Sequence, residues 1–208
     1  MPKLEVVHDD DTFLVSIPGG PRLAFTRRGD RWTHRLGIAV EGRAEIAASL
    51  ESDAERDPPG SVMSPIYQEI HRHEADGETG VCLLLTGGFL DHHFSAAAGF
   101  VVRGEEGILE IDVADRCRGR VESLAATYTV ALDSSRLVDA DSTRVVWTGG
   151  GLGVFSLVLE AVAPCSLALA EAGRRATRAQ VLATIDPASH TQRLRYRWRW
   201  ARNRGATA

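Results

Sequence analysis

Between Gln192 and Trp200 the chain reads QRLRYRWRW. Leu194, Tyr196, Trp198 and Trp200 alternate with Arg193, Arg195, Arg197 and Arg199. Successive side chains of a strand point to opposite faces, so an extended backbone puts four large apolar groups on one side and four guanidinium groups on the other. A helix would scatter both sets around its circumference. The segment is therefore expected to be a half-buried strand whose aromatics enter a core. Its arginines are read as the wet side of an edge strand, where positive charge also blocks unwanted pairing. Gripping phosphates or acidic sugars is the functional alternative for the same stripe.

Much of the chain repeats this period. Ile108–Asp115 alternates cleanly, with Leu109, Ile111 and Val113 opposed to Glu110 and Asp112. Shorter runs at Leu4–His8, Phe13–Ile17, Leu23–Phe25, Arg31–Val40, Ala44–Leu50, Ile66–His73, Phe89–Ala96, Leu124–Leu132, Thr143–Trp147 and Val154–Val162 also read as strands. Turn signals separate them, among them Pro18-Gly19-Gly20-Pro21, Asp76-Gly77 and Gly104–Gly107. Glu51–Ser64 and Asp133–Asp141 read as loops, the first being the longer. Ser166–Ile185 has helical composition, yet Leu167/Leu169 and Val181/Ala183/Ile185 alternate around Ala172-Gly173, so two strands are preferred. About a dozen closely spaced strand candidates with no strand–helix alternation predict an all-β fold: an antiparallel twisted β-sandwich with little helix. At 208 residues, one domain spanning 1–208 is expected.

Composition narrows the function classes. The net charge of −4 gives no electrostatic argument for nucleic acid. No apolar run reaches membrane-spanning length, and the start, MPKLEVVHDDD, carries no signal-peptide pattern. Cys82, Cys117 and Cys165 are odd in number and widely spaced, which fits reduced thiols and a cytoplasmic location. No GxGxxG, P-loop, GxSxG, HExxH or Cys–His signature is present, and no cofactor is expected. The expected partner is a small-molecule or sugar ligand; nothing in the pattern sets an oligomeric state.

Four of the seven histidines fall between Ile66 and Val102. Extended, Ile66–His73 puts Tyr67, Glu69, His71 and His73 on one face, against Ile66, Gln68, Ile70 and Arg72. A carboxylate and imidazoles spaced about 7 Å apart along a strand can bracket a small ligand as acid and base. Glu69, His71, His73 and His93 are thus the catalytic candidates. Tyr67 and Asp91 are ligand-binding candidates, Asp91 sharing a face with His93 if Phe89–Ala96 is one strand. Trp32 and His34 join the ligand-binding set from one face of Arg31–Val40. His92, on the side of Leu90 and Phe94, reads as a core or interface histidine. His71 and His73 are expected to face a groove, with His93 nearby and Glu51–Ser64 long enough to cover it. Glu110/Asp112 has the look of a glycosidase pair but reads as a solvated face. His71-x-His73 followed by Glu78 has the ligand spacing of a cupin, with His190 as a candidate fourth ligand, and would suit Fe, Mn, Ni or Zn.

The run HFSAAAGFVV from His93, with ILEIDVADR, AATYTV through Tyr128 and beyond, and the late LRYRWRW, resembles the β-supersandwich of the galactose-mutarotase-like superfamily. The resemblance implies binding or processing of carbohydrate on the concave face of a large antiparallel sheet. Its aldose epimerases use two histidines and a late glutamate. His71 or His73 with His93 would take the histidine places, and Glu160 is the only glutamate on a late apolar strand. The leading expectation is a carbohydrate-related protein. A metal-dependent cupin-like enzyme and a non-catalytic structural or interaction domain are the alternatives.

Overall fold

The structure, a computed structural model, describes residues 4–38, 44–73, 80–103, 106–132, 136–149, 152, 154–173 and 176–202. It is nearly all β, in two sheets packed face to face as a sandwich. The first sheet runs β1 (Glu5–His8), β2 (Thr12–Ser16), β3 (Pro21–Arg28), β4 (Arg31–Ile38), β5 (Ala44–Ser49), β11 (Ser123–Val130), β16 (Thr177–Leu182), β15 (Ser166–Glu171). A two-residue strand, β6 (Ser61–Val62), pairs parallel to β11. The second sheet runs β12 (Leu137–Ala140), β13 (Arg144–Thr148), β14 (Phe155–Ala161), β17 (Thr191–Arg202), β10 (Glu106–Cys117), β9 (His92–Arg103), β8 (Gly80–Phe89), β7 (Glu69–His73), with every neighbour antiparallel.

Alternation builds the sandwich. On β10, Leu109, Ile111 and Val113 are sealed; on β17, Leu194, Tyr196, Trp198 and Trp200 are equally so. They meet Phe13, Phe25, Leu36, Tyr128 and Val181 of the first sheet in one continuous cluster of buried residues. Trp147 stacks on Trp198, and Tyr128 meets Trp198 edge-on. A polar chain also spans the core: His34 Nε2 lies 2.7 Å from the Tyr128 hydroxyl, itself 2.7 Å from that of Tyr196. These groups bond one another because a buried polar atom left alone costs about 1–3 kcal/mol.

Several sequence expectations need correction. The arginine stripe is not on an edge: β17 lies inside its sheet, between β10 and β14. Its arginines sit where both neighbours offer acids, a cross-strand arrangement that sequence period cannot reveal. Phe89–Ala96 is not one strand but is cut by a two-residue turn, with Phe89 opposite His92. Leu90 carries the turn at φ 54°, in a region that glycine or asparagine usually occupies, so the local sequence hides it. β12 occupies part of the expected loop Asp133–Asp141. The preference for two strands in Ser166–Ile185 holds: β15 and β16 pair with each other from Ser166↔Leu182 to Glu171↔Thr177.

Candidate functional site

The sequence-predicted residues separate into three places. Trp32 and His34 lie in the core, on the inner face of β4, away from any ligand on an outer face. Tyr67 is buried too, and does not share a face with Glu69. The chain leaves the first sheet at Tyr67, whose carbonyl accepts the Trp32 N–H at 2.7 Å, and joins β8 at Gln68, whose N–H reaches the Thr86 carbonyl. Gly87 permits this crossing, because a Cβ there would collide with the Ile66 carbonyl oxygen. The regular alternation expected from Ile66 onward therefore begins only at Glu69.

Glu69, His71 and His73 lie on β7, the last strand of the second sheet, and all three are exposed. Glu69 accepts a hydrogen bond from the Thr86 hydroxyl at 3.0 Å and lies 3.6 Å from His71 Nε2, with both side chains 67% exposed. This is open solvent rather than the expected groove. The Glu51–Ser64 loop does not cover these side chains; it docks on the first sheet. Ser52 binds the Met63–Ser64 backbone, and Ser64 exchanges hydrogen bonds with Thr127 of β11. Glu78 and the Asp76-Gly77 turn lie outside the described residues, and among the described residues no three His, Cys, Asp or Glu side chains are grouped to hold a metal.

His93 shares the outer face with His71 but not its neighbourhood. His71 pairs through Leu84 with Ala97, four residues along β9 from His93. Strand spacing and rise put the two imidazoles roughly 16 Å apart at the backbone. Asp91 sits in the β8–β9 turn, away from the face of His93. His92 is the core histidine expected, its Nδ1 2.8 Å from Asp115 Oδ2.

The second sheet's outer face instead gathers a candidate site around Glu110, Asp112 and the arginines, which read in the sequence as a solvated face, together with Cys82, Ala97 and Gly99, which carry no sequence signal. One cross-strand row runs His73, Cys82, Gly99, Glu110, Arg197, Glu160; the next runs His71, Leu84, Ala97, Asp112, Arg195. At its centre β9 carries only Ala97 and Gly99, leaving an open trough of about 400 Å³. Cys82, Val101 and Ile108 complete an apolar floor, and Glu110, Asp112 and Arg197 form the charged wall. Gly99 is informative. Among the described residues nothing lies within 4 Å of a Cβ built there, so their packing does not require a glycine. A glycine inside a strand often marks close approach by a ligand or another backbone.

The wall is held by an ion-pair ladder. Asp112 lies 3.3 Å from Arg195 and 3.6 Å from Arg193, and Glu110 lies 3.2 Å from Arg197. Beyond them, Arg199 bridges Glu106 at 2.5 Å and Glu160 at 3.1 Å, and the two carboxylates hold its guanidinium firmly charged. Glu160 also approaches Arg197 and Arg144. Same-face neighbours two residues apart, Glu110 and Asp112 sit about 7 Å apart at the backbone. A glycosidase needs one carboxyl kept protonated by an apolar setting. Neither stands in one, since guanidinium groups engage both. This geometry suits recognition of hydroxyl groups rather than hydrolysis.

Compared with known proteins, the chain matches no family model and no curated sequence.

Proposed function

We propose that this is a carbohydrate-binding protein that takes a pyranoside in the trough between β8 and β10. The observation that carries the reading is the open strip at Ala97 and Gly99, with an apolar floor on one side and a preorganised carboxylate–guanidinium wall on the other. A pyranose has matching features: a C–H face that rests on small apolar groups and a rim of hydroxyls. Glu110 and Asp112 accept from those hydroxyls, and Arg197 donates to them. The ladder fixes these groups before the ligand arrives, so little side-chain entropy is lost on binding. Sugar binding on the face of a large antiparallel sheet is also what a galactose-mutarotase-like fold would provide. All four tryptophans point inward or are buried, so affinity rests on the polar wall and a modest preference is expected. Three free cysteines fit a reducing, cytoplasmic setting.

A thermal-shift screen of simple glycosides and glycans tests the reading. Binding should raise the melting temperature of the wild type. In Gly99→Leu, which fills the trough, the shift should vanish while the protein stays folded. A ligand that stabilises both equally binds elsewhere and overturns the assignment.

A further inference from the structure

A second constellation lies at the opposite chemical extreme, on the inner face at one end of the second sheet. Cys117 and His92 are direct cross-strand partners on β10 and β9, and Asp115 is two residues before the cysteine on the same face. The three side chains form a chain: Asp115 Oδ2 to His92 Nδ1 at 2.8 Å, and His92 Nε2 to Cys117 Sγ at 3.8 Å. With Nδ1–H donated to the carboxylate, the Nε2 lone pair faces the thiol. His92 and Cys117 also line an open cavity of about 650 Å³, bounded by Pro59, Leu90, Asp91 and Arg120.

Packing alone does not call for this arrangement. Asp115 is fully buried, yet its Oδ1 has no hydrogen-bond partner among the described residues. The strained Leu90 turn stands at the mouth with its side chain 67% exposed. Burial, helped by Asp115 and Asp91, pushes the Cys117 thiol above its ordinary pKa, although the Gly119 N–H opposes the shift. The sulfur rests as a thiol, so a base must take its proton during reaction, and His92 is placed to do so.

We propose that Cys117 is an acyl-accepting nucleophile, with His92 as general base and Asp115 as the positioning residue, acting on carboxylic esters admitted through this cavity. The Cys117 S–H proton passes to His92 Nε2 as sulfur bonds to the carbonyl carbon. The ester C–O bond then breaks, and the leaving alcohol takes that proton. Water, deprotonated by the same imidazole, cleaves the thioester, releases the acid and restores the thiol. This site is independent of the trough and does not rest on the sugar reading.

The test uses p-nitrophenyl acetate on the full chain, with peptide mapping of the acetylated residue and release of p-nitrophenol followed in parallel. The expected adduct is on Cys117, in preference to the more exposed Cys82, which solvent access alone would label first. His92→Gln should slow acylation about a hundredfold, the lower range for loss of a general base. In His92→Ala, added imidazole should restore part of the Cys117 acetylation rate above that of a His92→Ala/Cys117→Ala control with the same imidazole, which a purely structural histidine would not allow. Asp115→Asn should slow acylation while leaving Cys82 labelling unchanged. No Cys117 adduct in the folded wild type, labelling led by Cys82, or a His92→Gln rate equal to wild type would each overturn the proposal.

Discussion

His34 shows how one buried group sets a pH response. Its imidazole, carried by β4, is buried against Phe25 and Tyr128, and burial lowers its pKa from 6.5 to about 4. The folded state thus binds fewer protons than the unfolded chain between those values. Stability is full above pH 6.5 and falls as pH drops toward 4, by about 3 kcal/mol across the window. The Glu51 carboxyl, raised by burial, acts in the opposite sense. Urea melts of wild type and His34→Phe at pH 7 and pH 4.5 isolate the histidine. The variant should start less stable and lose less on acidification; equal losses would contradict a neutral buried imidazole. Leu90 makes a second residue-scale point. Its positive φ costs about 1 kcal/mol or more for a side chain with a Cβ. Leu90→Gly should therefore raise the urea midpoint, an unusual outcome for removal of a leucine.

At the scale of elements, β17 carries the most. Trp198→Ala should cost about 3–5 kcal/mol, because the ring is sealed between Trp147 and Tyr128. On the other face, Arg197→Met should cost under about 1 kcal/mol, since ion pairs this exposed are largely offset by solvation and screening. Urea titration of both variants checks the contrast, and similar losses would contradict the assignment of the two faces. This split was legible in the sequence because alternation reports sidedness directly. Pairing partners were not legible. Nothing within QRLRYRWRW says that Glu106, Glu110, Asp112 and Glu160 flank the arginines, so from sequence the stripe reads as an edge. The same gap hid both sites. Gly99 and Ala97 form a trough only once β8 and β10 stand on either side, and His92 meets Cys117 only through the β9–β10 register. The histidines of β7 stand out by residue type, yet among the described residues the strand lies at the sheet's margin, paired on one side only, with β8.

For the whole molecule, the sandwich leaves two surfaces with separate chemistry. The outer face of the second sheet presents fixed charge beside a bare strip, and the end near Leu90 opens onto a hydrogen-bonded thiol. Gly99→Leu fills the first without touching the second, so a stable fold and an intact Cys117 should accompany loss of ligand. Replacing an in-strand glycine with a larger residue removes a conformational penalty of about 0.5–1 kcal/mol, so the variant should be no less stable than wild type. The most direct measurement is amide chemical-shift mapping while a methyl glycoside that passes the thermal screen is titrated in. Shifts should concentrate at Cys82, Ala97, Gly99, Glu110 and Asp112, and none should appear in Gly99→Leu. Shifts centred on His71 and His73, or a trough that stays silent while the glycoside binds, would contradict a sugar site there.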